Sequence, residues 1–270
     1  MNSANVMKMN RREASKIVGT TAASLALSGG VCGSSKKTKR HIVTLSFDDG
    51  FKKSSIDQAK IFEKYNLSAC INVIASTHMK GFKTPDAYHR HPYGDFGLWN
   101  ELQARGHEIM PHSFKHANLK NLPYEESKDL IRRCNDVFAE KLEGFNAKES
   151  IYNFAYLAST PDLEEWLPTQ CRAFRTGFAP INPMPHKGQT KLTCTSAGPG
   201  NCEKSIDRHI EKLLAQEKGW LIFCAHGLDD EGWGPMRASY LDRLLDRLVA
   251  IDSVDVLPTG KAMTKYICEG

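Results

Sequence analysis

Short apolar runs alternate with amphipathic stretches along most of the chain, and this alternation restricts the fold more than any other feature. Eight runs have strand-like length and composition: residues 41–47, 68–74, 107–111, 150–156, 171–175, 190–195, 220–225 and 254–257. Six stretches have helical spacing: residues 54–65, 97–105, 124–142, 204–217, 236–250 and 259–267. Strands that alternate with helices usually pair in parallel, so the sequence predicts an α/β fold. The number of units suits a closed or distorted (β/α) barrel.

Length and composition indicate one globular domain over residues 36–270. The chain has 270 residues, of which 41% are hydrophobic and 25% charged, enough for a large core. The formal net charge is +5, but residues 1–35 contribute much of it, and without them 32 basic residues face 30 acidic ones. Nothing in this balance indicates a nucleic-acid partner. No stretch after residue 40 is long and apolar enough to span a membrane.

The first 35 residues have the pattern of an export signal. Arg11 and Arg12 precede a short apolar run at residues 17–27, and small residues follow. The paired arginines favour the twin-arginine route of bacteria, so we expect a periplasmic or secreted protein. Two alternatives stay open: a disordered basic start, and lipid anchoring through Cys32, although the residues before that cysteine fit a lipoprotein signal poorly.

Two strand-like runs end in side chains that suit a metal centre. The first, HIVTLSFDDG at residues 41–50, ends in two adjacent aspartates. The second, GHEIMPHSFKH at residues 106–116, ends in His112 and His116. One aspartate and two histidines form a three-ligand set that leaves a metal position open. The second aspartate is then free to act as a base, which is the equipment of metal-assisted hydrolysis.

A third run, WLIFCAHG at residues 220–227, ends in His226. Taken singly, each feature has an ordinary explanation: a turn, a surface histidine pair and a structural histidine. All three, however, follow the carboxyl ends of apolar strands. In a parallel α/β barrel those ends share the face on which active sites form. Their coincidence therefore favours one catalytic site.

These motifs resemble the polysaccharide deacetylases of carbohydrate esterase family 4, the group with the NodB homology domain. The resemblance covers roughly residues 40–265. LSFDDG at residues 45–50 is similar to the family's Thr-Phe-Asp-Asp-Gly motif, with serine in place of threonine. HSFKH at residues 112–116 is similar to its His-Ser/Thr-x-x-His motif, and VDVLPT at residues 254–259 resembles its final strand.

The resemblance implies a distorted (β/α) barrel and a role for each matched residue. Asp48 would be the catalytic base, and Asp49, His112 and His116 would bind one divalent metal. His226 would be the general acid. Zn²⁺ is the first expectation for the metal, and Co²⁺, Mn²⁺ or Fe²⁺ would suit the same ligands. The implied reaction is hydrolysis of a C–N bond, which removes acetyl groups from an acetylated polysaccharide, with N-acetyl favoured over O-acetyl.

The middle motif departs from the family. Members carry Arg-Pro-Pro-Tyr-Gly or Phe-Ala-Tyr-Pro-Tyr-Gly, whereas this chain has FAYLAS at residues 154–159. By the resemblance, the backbone N–H of Ala158 would help to stabilise the oxyanion, a role that needs no particular side chain. The arginine that braces the base is missing from this segment. Arg175, in the next predicted strand, is the candidate substitute.

Two other functions stay open at this stage. The first is a metal-dependent hydrolase of a small amide, imide or ureide. The second is a carbohydrate-binding protein with a degenerate site of the same fold. Binding alone would not need both a base and an acid, and an export signal favours a glycan substrate.

Two further features also allow two interpretations each. The loop at residues 76–96 is long and rich in aromatic residues and histidines, so it is either functional or an ordinary surface loop. Cys194 and Cys202 flank a glycine-containing stretch, and they would close a disulfide loop in an oxidising compartment or remain free thiols.

Overall fold

The computed structural model describes residues 40–177, 179 and 181–268, so the predicted export signal lies outside the described residues. Strands and helices alternate along this part of the chain. In order they are β1 (His41–Phe47), α1 (Lys52–Glu63), β2 (Cys70–Val73), α2 (Phe96–Ala104), β3 (Glu108–Pro111), α3 (Tyr124–Lys141), β4 (Ile151–Asn153), α4 (Pro161–Trp166), β5 (Ala173–Thr176), β6 (Ile181–Asn182), β7 (Lys191–Thr193), β8 (Thr195–Ser196), α5 (Cys202–Leu214), β9 (Gly219–Ala225), α6 (Ala238–Val249), β10 (Val254–Val256) and α7 (Thr259–Cys268).

β1 is the centre of the larger sheet, whose strands run in the order β3-β2-β1-β9-β6. It pairs in parallel with all of β9, with β10 at its start and with β2 at its end. Both β1 and β9 are buried along their full length, as expected for parallel strands covered on both faces. β6 is the antiparallel partner of β9.

A second sheet, β4-β5-β7, completes the barrel. β7 and β8 are separated only by Cys194, and β8 pairs with β9, so this stretch joins the two sheets. On the opposite side of the barrel, a side chain links β3 and β4: the Asn153 amide donates to the backbone carbonyl oxygen of Pro111 at 3.2 Å. This uneven closure makes the barrel distorted, and the predicted fold class is confirmed.

The predicted helix faces are buried against the barrel. In α3, Leu130, Ile131, Cys134, Val137 and Phe138 are all buried. In α6, the buried side chains are those of Tyr240, Leu241, Leu244, Leu245 and Leu248. Each large aliphatic side chain removed from water in this way contributes about 1.5–3 kcal/mol. These helices therefore hold the strands, and with them the strand ends, in fixed positions.

The structure differs from the sequence prediction in three elements. The strand predicted at residues 150–156 ends at Asn153, because Tyr156 and Leu157 have left-handed backbone angles (φ 57° and 53°) that no strand accommodates. α4 was not predicted, since its six residues are too few to show a helical period. The two-residue strand β6 was missed for the same reason.

Two other expectations concern the membrane and the cysteines. Within the described residues, no helix is long and apolar enough to cross a bilayer. Cys194 and Cys202 are both free and buried, so the disulfide loop considered above is not formed. They belong to different parts of the core, because Cys194 packs with the strands around Trp220 while Cys202 begins α5 and packs with the outer helices.

Candidate active site

The carboxyl ends of the parallel strands open into one cavity of about 330 Å³. Asp48 follows β1, His112 follows β3 and His226 follows β9, and all three line this cavity together with His116. The three sequence motifs, about 60 and 110 residues apart in the chain, thus meet at one face of the barrel, as parallel strands require.

Asp49 lies at the floor of the site in a strained backbone conformation. Its φ is 75°, and Gly50 follows with a φ of 77°. A side chain at Gly50 would meet Val73 at 2.9 Å and Trp99 at 3.0 Å, so the turn depends on glycine. The turn buries the Asp49 carboxylate, which is 1% exposed, and directs it towards the histidines that follow β3.

His112 and His116 approach the same oxygen of Asp49. Their Nε2 atoms lie 3.4 and 3.3 Å from Asp49 Oδ1. No helix places the pair: Ser113 and His116 have φ values of 67° and 53°, and the Ser113 hydroxyl accepts the N–H of His116 at 2.8 Å. A loop with two left-handed residues therefore brings the imidazoles together.

These residues fit a divalent metal. The ligand atoms of Asp49, His112 and His116 all lie within 4.8 Å of one another. Both carboxylate oxygens of Asp49 are buried without a hydrogen-bond partner among the described residues, which is costly unless another group binds them. The Nδ1–H of His112 donates to the carbonyl oxygen of Asn153 at 3.1 Å, which leaves Nε2 unprotonated towards Asp49. Burial lowers the pKa of His116 despite the opposing charge of Asp49, so its neutral, metal-binding form is favoured.

Asp48 is not part of this set and has its own partners. Arg175 Nη2 donates to its Oδ1 at 2.8 Å and to its Oδ2 at 2.6 Å. The amide of Asn72 donates to Oδ1 at 2.7 Å, and the thiol of Cys224 donates to Oδ2 at 3.2 Å. Burial alone would raise the pKa of Asp48, but the charge of Arg175, together with those of His112 and His226, outweighs burial and lowers the pKa. Asp48 is therefore held as a carboxylate beside the candidate metal site.

Arg175 lies at the centre of a buried polar network. The residue is 0% exposed, and its Nε donates to Asn153 Oδ1 at 2.8 Å. Asn153 also accepts from His112 through its carbonyl oxygen. One residue of β4 therefore orients both a candidate metal ligand and the arginine that pairs with Asp48. The contact expected from the sequence, Arg175 with Asp48, is present.

His226 is a half-buried imidazole at the end of β9, and it lines the same cavity as the candidate metal ligands His112 and His116. Gln58 donates to its carbonyl oxygen at 3.2 Å, and the ring of Trp233 packs edge-on against it at 5.6 Å. Burial lowers the pKa of His226, against the pull of Asp49 and Asp48. A histidine with this pKa shift gives up its proton more readily.

Ala158 does not present a free donor. Its N–H donates to the carbonyl oxygen of Ala155 at 3.1 Å, so the oxyanion contact expected from the resemblance is not available in this conformation. This hydrogen bond closes the tight turn at Ala155–Leu157, in which Leu157 stands where the family motif has proline. Tyr156 and Leu157, rather than Ala158, line the cavity.

His89 is a site residue that the sequence did not single out. It is 4% exposed, and its Nε2 lies 3.3 Å from Asp49 Oδ2. Its Nδ1–H donates to Asp86 Oδ1 at 2.8 Å. Burial opposes the charged form, but Asp49 and Asp86 outweigh burial and raise the pKa of His89 to about 9. The histidine-rich composition of residues 76–96 was the one available signal, and it could not distinguish His89 from His91.

Comparison with known proteins supports one family. Residues 35–165 match the family model for polysaccharide deacetylase. No curated protein matches the chain significantly. The family match, which spans just under half of the chain, and the fold both support the polysaccharide deacetylase family, whose members are hydrolases.

Solved structures share the fold at low sequence identity. A protein from Mycobacterium smegmatis assigned to the polysaccharide deacetylases superposes with a TM-score of 0.61 at 13% identity, covering 84% of this chain and 90% of that one. A family 4 acetyl xylan esterase from Clostridium thermocellum in complex with a cobalt ion has a TM-score of 0.55 at 17% identity, covering 83% and 91%. The peptidoglycan deacetylase PdaC from Bacillus subtilis has a TM-score of 0.51 at 16% identity, covering 83% and 91%.

Proposed function

We propose that the protein is a metal-dependent deacetylase that hydrolyses N-acetyl groups of an acetylated glycan. One observation carries the proposal: a single cavity is lined by two histidines of a candidate three-ligand metal site, a carboxylate paired with arginine and a histidine with lowered pKa. A carbohydrate-binding protein would not need separate metal ligands, a base and an acid. A family 4 pseudoenzyme whose activity was restored by mutation has this fold, so the intact residues, and not the fold, support catalysis.

Asp49, His112 and His116 would hold the cation. When bound there, a divalent metal supplies Lewis acidity, which polarises a carbonyl oxygen and makes water more acidic. Imidazole and carboxylate ligands suit Zn²⁺ first, and Co²⁺, Mn²⁺ or Fe²⁺ also. The cobalt ion of the Clostridium thermocellum esterase is consistent with such a site.

Asp48 would act as the general base. Its Oδ2 lies 3.7 Å from His112 Nε2, so the carboxylate borders the metal cluster without joining it. Arg175 keeps it ionised, and an ionised carboxylate accepts the proton of the attacking water. Arg175, Asn72 and Cys224 also fix its orientation from three sides. Positioned proton transfer of this kind contributes about 10²–10⁴-fold to the rate.

His226 would act as the general acid. The amine that leaves when an acetamide is hydrolysed is a poor leaving group and has to be protonated as the C–N bond breaks. His226 faces the cavity from the side of β9, and its lowered pKa favours release of a proton. This need for an acid is the reason for favouring N-acetyl over O-acetyl groups, because an alcohol leaves more easily.

Exposed aromatic side chains at the cavity support a glycan substrate. Tyr88 is 44% exposed and Tyr156 is 48% exposed, and both line the cavity. Aromatic rings with a polar end suit ligands that are apolar on one face and wet at the edge, as sugar rings are. A small imide or ureide would have no need of them.

The test is acetate release from a panel of substrates. We expect release from N-acetylated glycans, slower release from O-acetylated glycans, and little hydrolysis of small cyclic imides. Preferential turnover of an imide or ureide would contradict the glycan assignment. Glycan binding with no turnover of any substrate would instead contradict the assignment as an active enzyme.

We also propose that the protein is exported from a bacterial cytoplasm. Arg11 and Arg12 with the short apolar run behind them support a signal over residues 1–35, and a glycan substrate outside the cytoplasm agrees with it. Export places the catalytic domain in the periplasm or outside the cell; lipid anchoring through Cys32 is the less favoured alternative, because the residues before it fit a lipoprotein signal poorly.

A further inference from the structure

His89 approaches the oxygen of Asp49 that His112 and His116 leave free. Its Nε2 lies 3.3 Å from Asp49 Oδ2, whereas the Nε2 atoms of His112 and His116 lie near Oδ1. The His89 side chain is 5% exposed, and within the described residues its Nε2 has no hydrogen-bond partner of good geometry. Hydrogen bonding within the described residues therefore does not explain why this buried imidazole is directed at a carboxylate oxygen.

The direction of His89 is fixed from behind by Asp86. The Nδ1–H of His89 donates to Asp86 Oδ1 at 2.8 Å, and the same carboxylate oxygen accepts the N–H of Tyr88 at 2.8 Å. The ring of His116 packs against that of His89 at 4.5 Å, and Phe51 packs at 5.9 Å. These contacts hold the Nδ1 atom and the ring of His89 in place, so that its Nε2 atom is directed at Asp49.

The loop that carries His89 is tied to the residues that follow Asp49. The N–H of Lys52 donates to the carbonyl oxygen of Pro92 at 2.8 Å, and the N–H of Gly94 donates to that of Gly50 at 3.0 Å. The Tyr93 hydroxyl donates to the carbonyl oxygen of His89 at 3.2 Å. His89 and Asp49 are consequently held at a constant distance by backbone bonds as well as by their own contact.

We propose that His89 is a positioning residue of the metal centre, which binds Oδ2 of Asp49 so that this carboxylate offers Oδ1 alone to the cation. The inference rests on the proposed function, since it presupposes a metal at Asp49, His112 and His116. Asp86, His89 and Asp49 then form a carboxylate–imidazole–carboxylate chain that ends at the metal. Such partners of ligating groups typically change metal affinity by about 10–100-fold.

Metal titration and X-ray absorption on the full chain test this role. Replacement of His89 by alanine should weaken Zn²⁺ binding by about 10–100-fold, the range for partners of metal ligands. His89→Gln keeps an N–H donor and should recover part of the affinity. His91→Ala is the matched control, because His91 belongs to the same loop and packs on Phe51 at 5.8 Å. It should bind Zn²⁺ as the wild type does.

X-ray absorption then distinguishes a positioning residue from a ligand. We expect two imidazole ligands on Zn²⁺ in both the wild type and His89→Ala. Three imidazoles in the wild type would show that His89 is itself a ligand and would overturn the proposal. Equal Zn²⁺ affinity in the wild type and His89→Ala would also overturn it. A wild type that binds no Zn²⁺ at all would refute the proposed function instead.

Discussion

Arg175 Nη2 contacts both carboxylate oxygens of Asp48, at 2.8 and 2.6 Å, inside a cluster that water hardly reaches. The arginine comes from β5, one strand after the segment in which the resemblance would place it. A charge supplied from a neighbouring strand reaches the same carboxylate because parallel strands of a barrel end at one face. The altered segment at residues 154–159 therefore need not impair the base.

Replacing Arg175 should change the pH dependence of the reaction. Burial raises the pKa of Asp48, but Arg175, the largest of the opposing charges, helps to bring it below the ordinary value, and the base works only when ionised. Without the arginine, burial dominates, the pKa rises and the acidic limb of the pH–rate profile moves to higher pH. Arg175→Lys keeps a charge and should move the limb less than Arg175→Ala, as measured by acetate release across pH.

The same substitution should cost stability. A carboxylate with a depressed pKa stabilises the fold above its unfolded pKa, and that contribution is lost as the pH falls through the folded value. Arg175→Ala leaves a buried charge unpaired, which costs about 3–5 kcal/mol in comparable cases. Unfolding by urea at neutral pH measures this loss in the free energy of unfolding. If the acidic limb and the stability both stayed at wild-type values, Arg175 would be a bystander.

Substitutions at Asp48 and Asp49 should distinguish catalysis from metal binding. Asp48→Asn should reduce turnover by about 10²–10⁴-fold, since it removes the base, while the metal stays bound. Asp49→Asn should lose the metal and the activity together. Metal content and acetate release, measured on the same preparations, check both. Near-normal acetate release by Asp48→Asn would refute its role as the base.

His226 should determine the basic limb of the profile. An acid must be protonated to act, so the rate should fall as the pH rises through its pKa. Because burial lowers that pKa, we expect this limb below the value of about 6.5 for an ordinary histidine. His226→Gln should cut the rate strongly and abolish the limb while the metal remains bound. A variant that keeps both rate and limb would exclude His226 as the acid.

Export is tested by exchanging Arg11 and Arg12 for lysine. The twin-arginine route requires both arginines, so the Lys-Lys precursor should accumulate inside the host cell. Fractionation and N-terminal sequencing of the mature protein measure the outcome. Undiminished secretion would favour the general route, and a lipid-modified Cys32 at the new N-terminus would make the product an anchored lipoprotein.

The sequence predicted the barrel because its evidence is periodic and long-range. Runs such as residues 41–47 and 220–225 are mostly apolar, and the structure buries β1 and β9 completely. The carboxylates and histidines could be assigned to one face, because the ends of parallel strands coincide. Arg175 could be proposed because the resemblance implies an arginine beside the base and residues 154–159 contain none.

What escaped prediction depends on backbone torsion and loop path. The left-handed angles at Tyr156 and Leu157 follow from how the turn packs, and they leave the N–H of Ala158 bonded to Ala155. The position of His89 depends on backbone bonds between residues 50–52 and 92–94, which no residue pattern encodes. The conformation of these loop residues could not be predicted, because loops have no periodic sequence pattern.

The most direct test of the central claim is to measure bound metal and acetate release together in the wild type, His112→Ala and His116→Ala. The account predicts one equivalent of divalent metal and acetate release from an N-acetylated glycan in the wild type. Either alanine variant should lose both, because each removes one of three ligands. Full metal occupancy in both variants, with acetate still released, would contradict the assignment of the site.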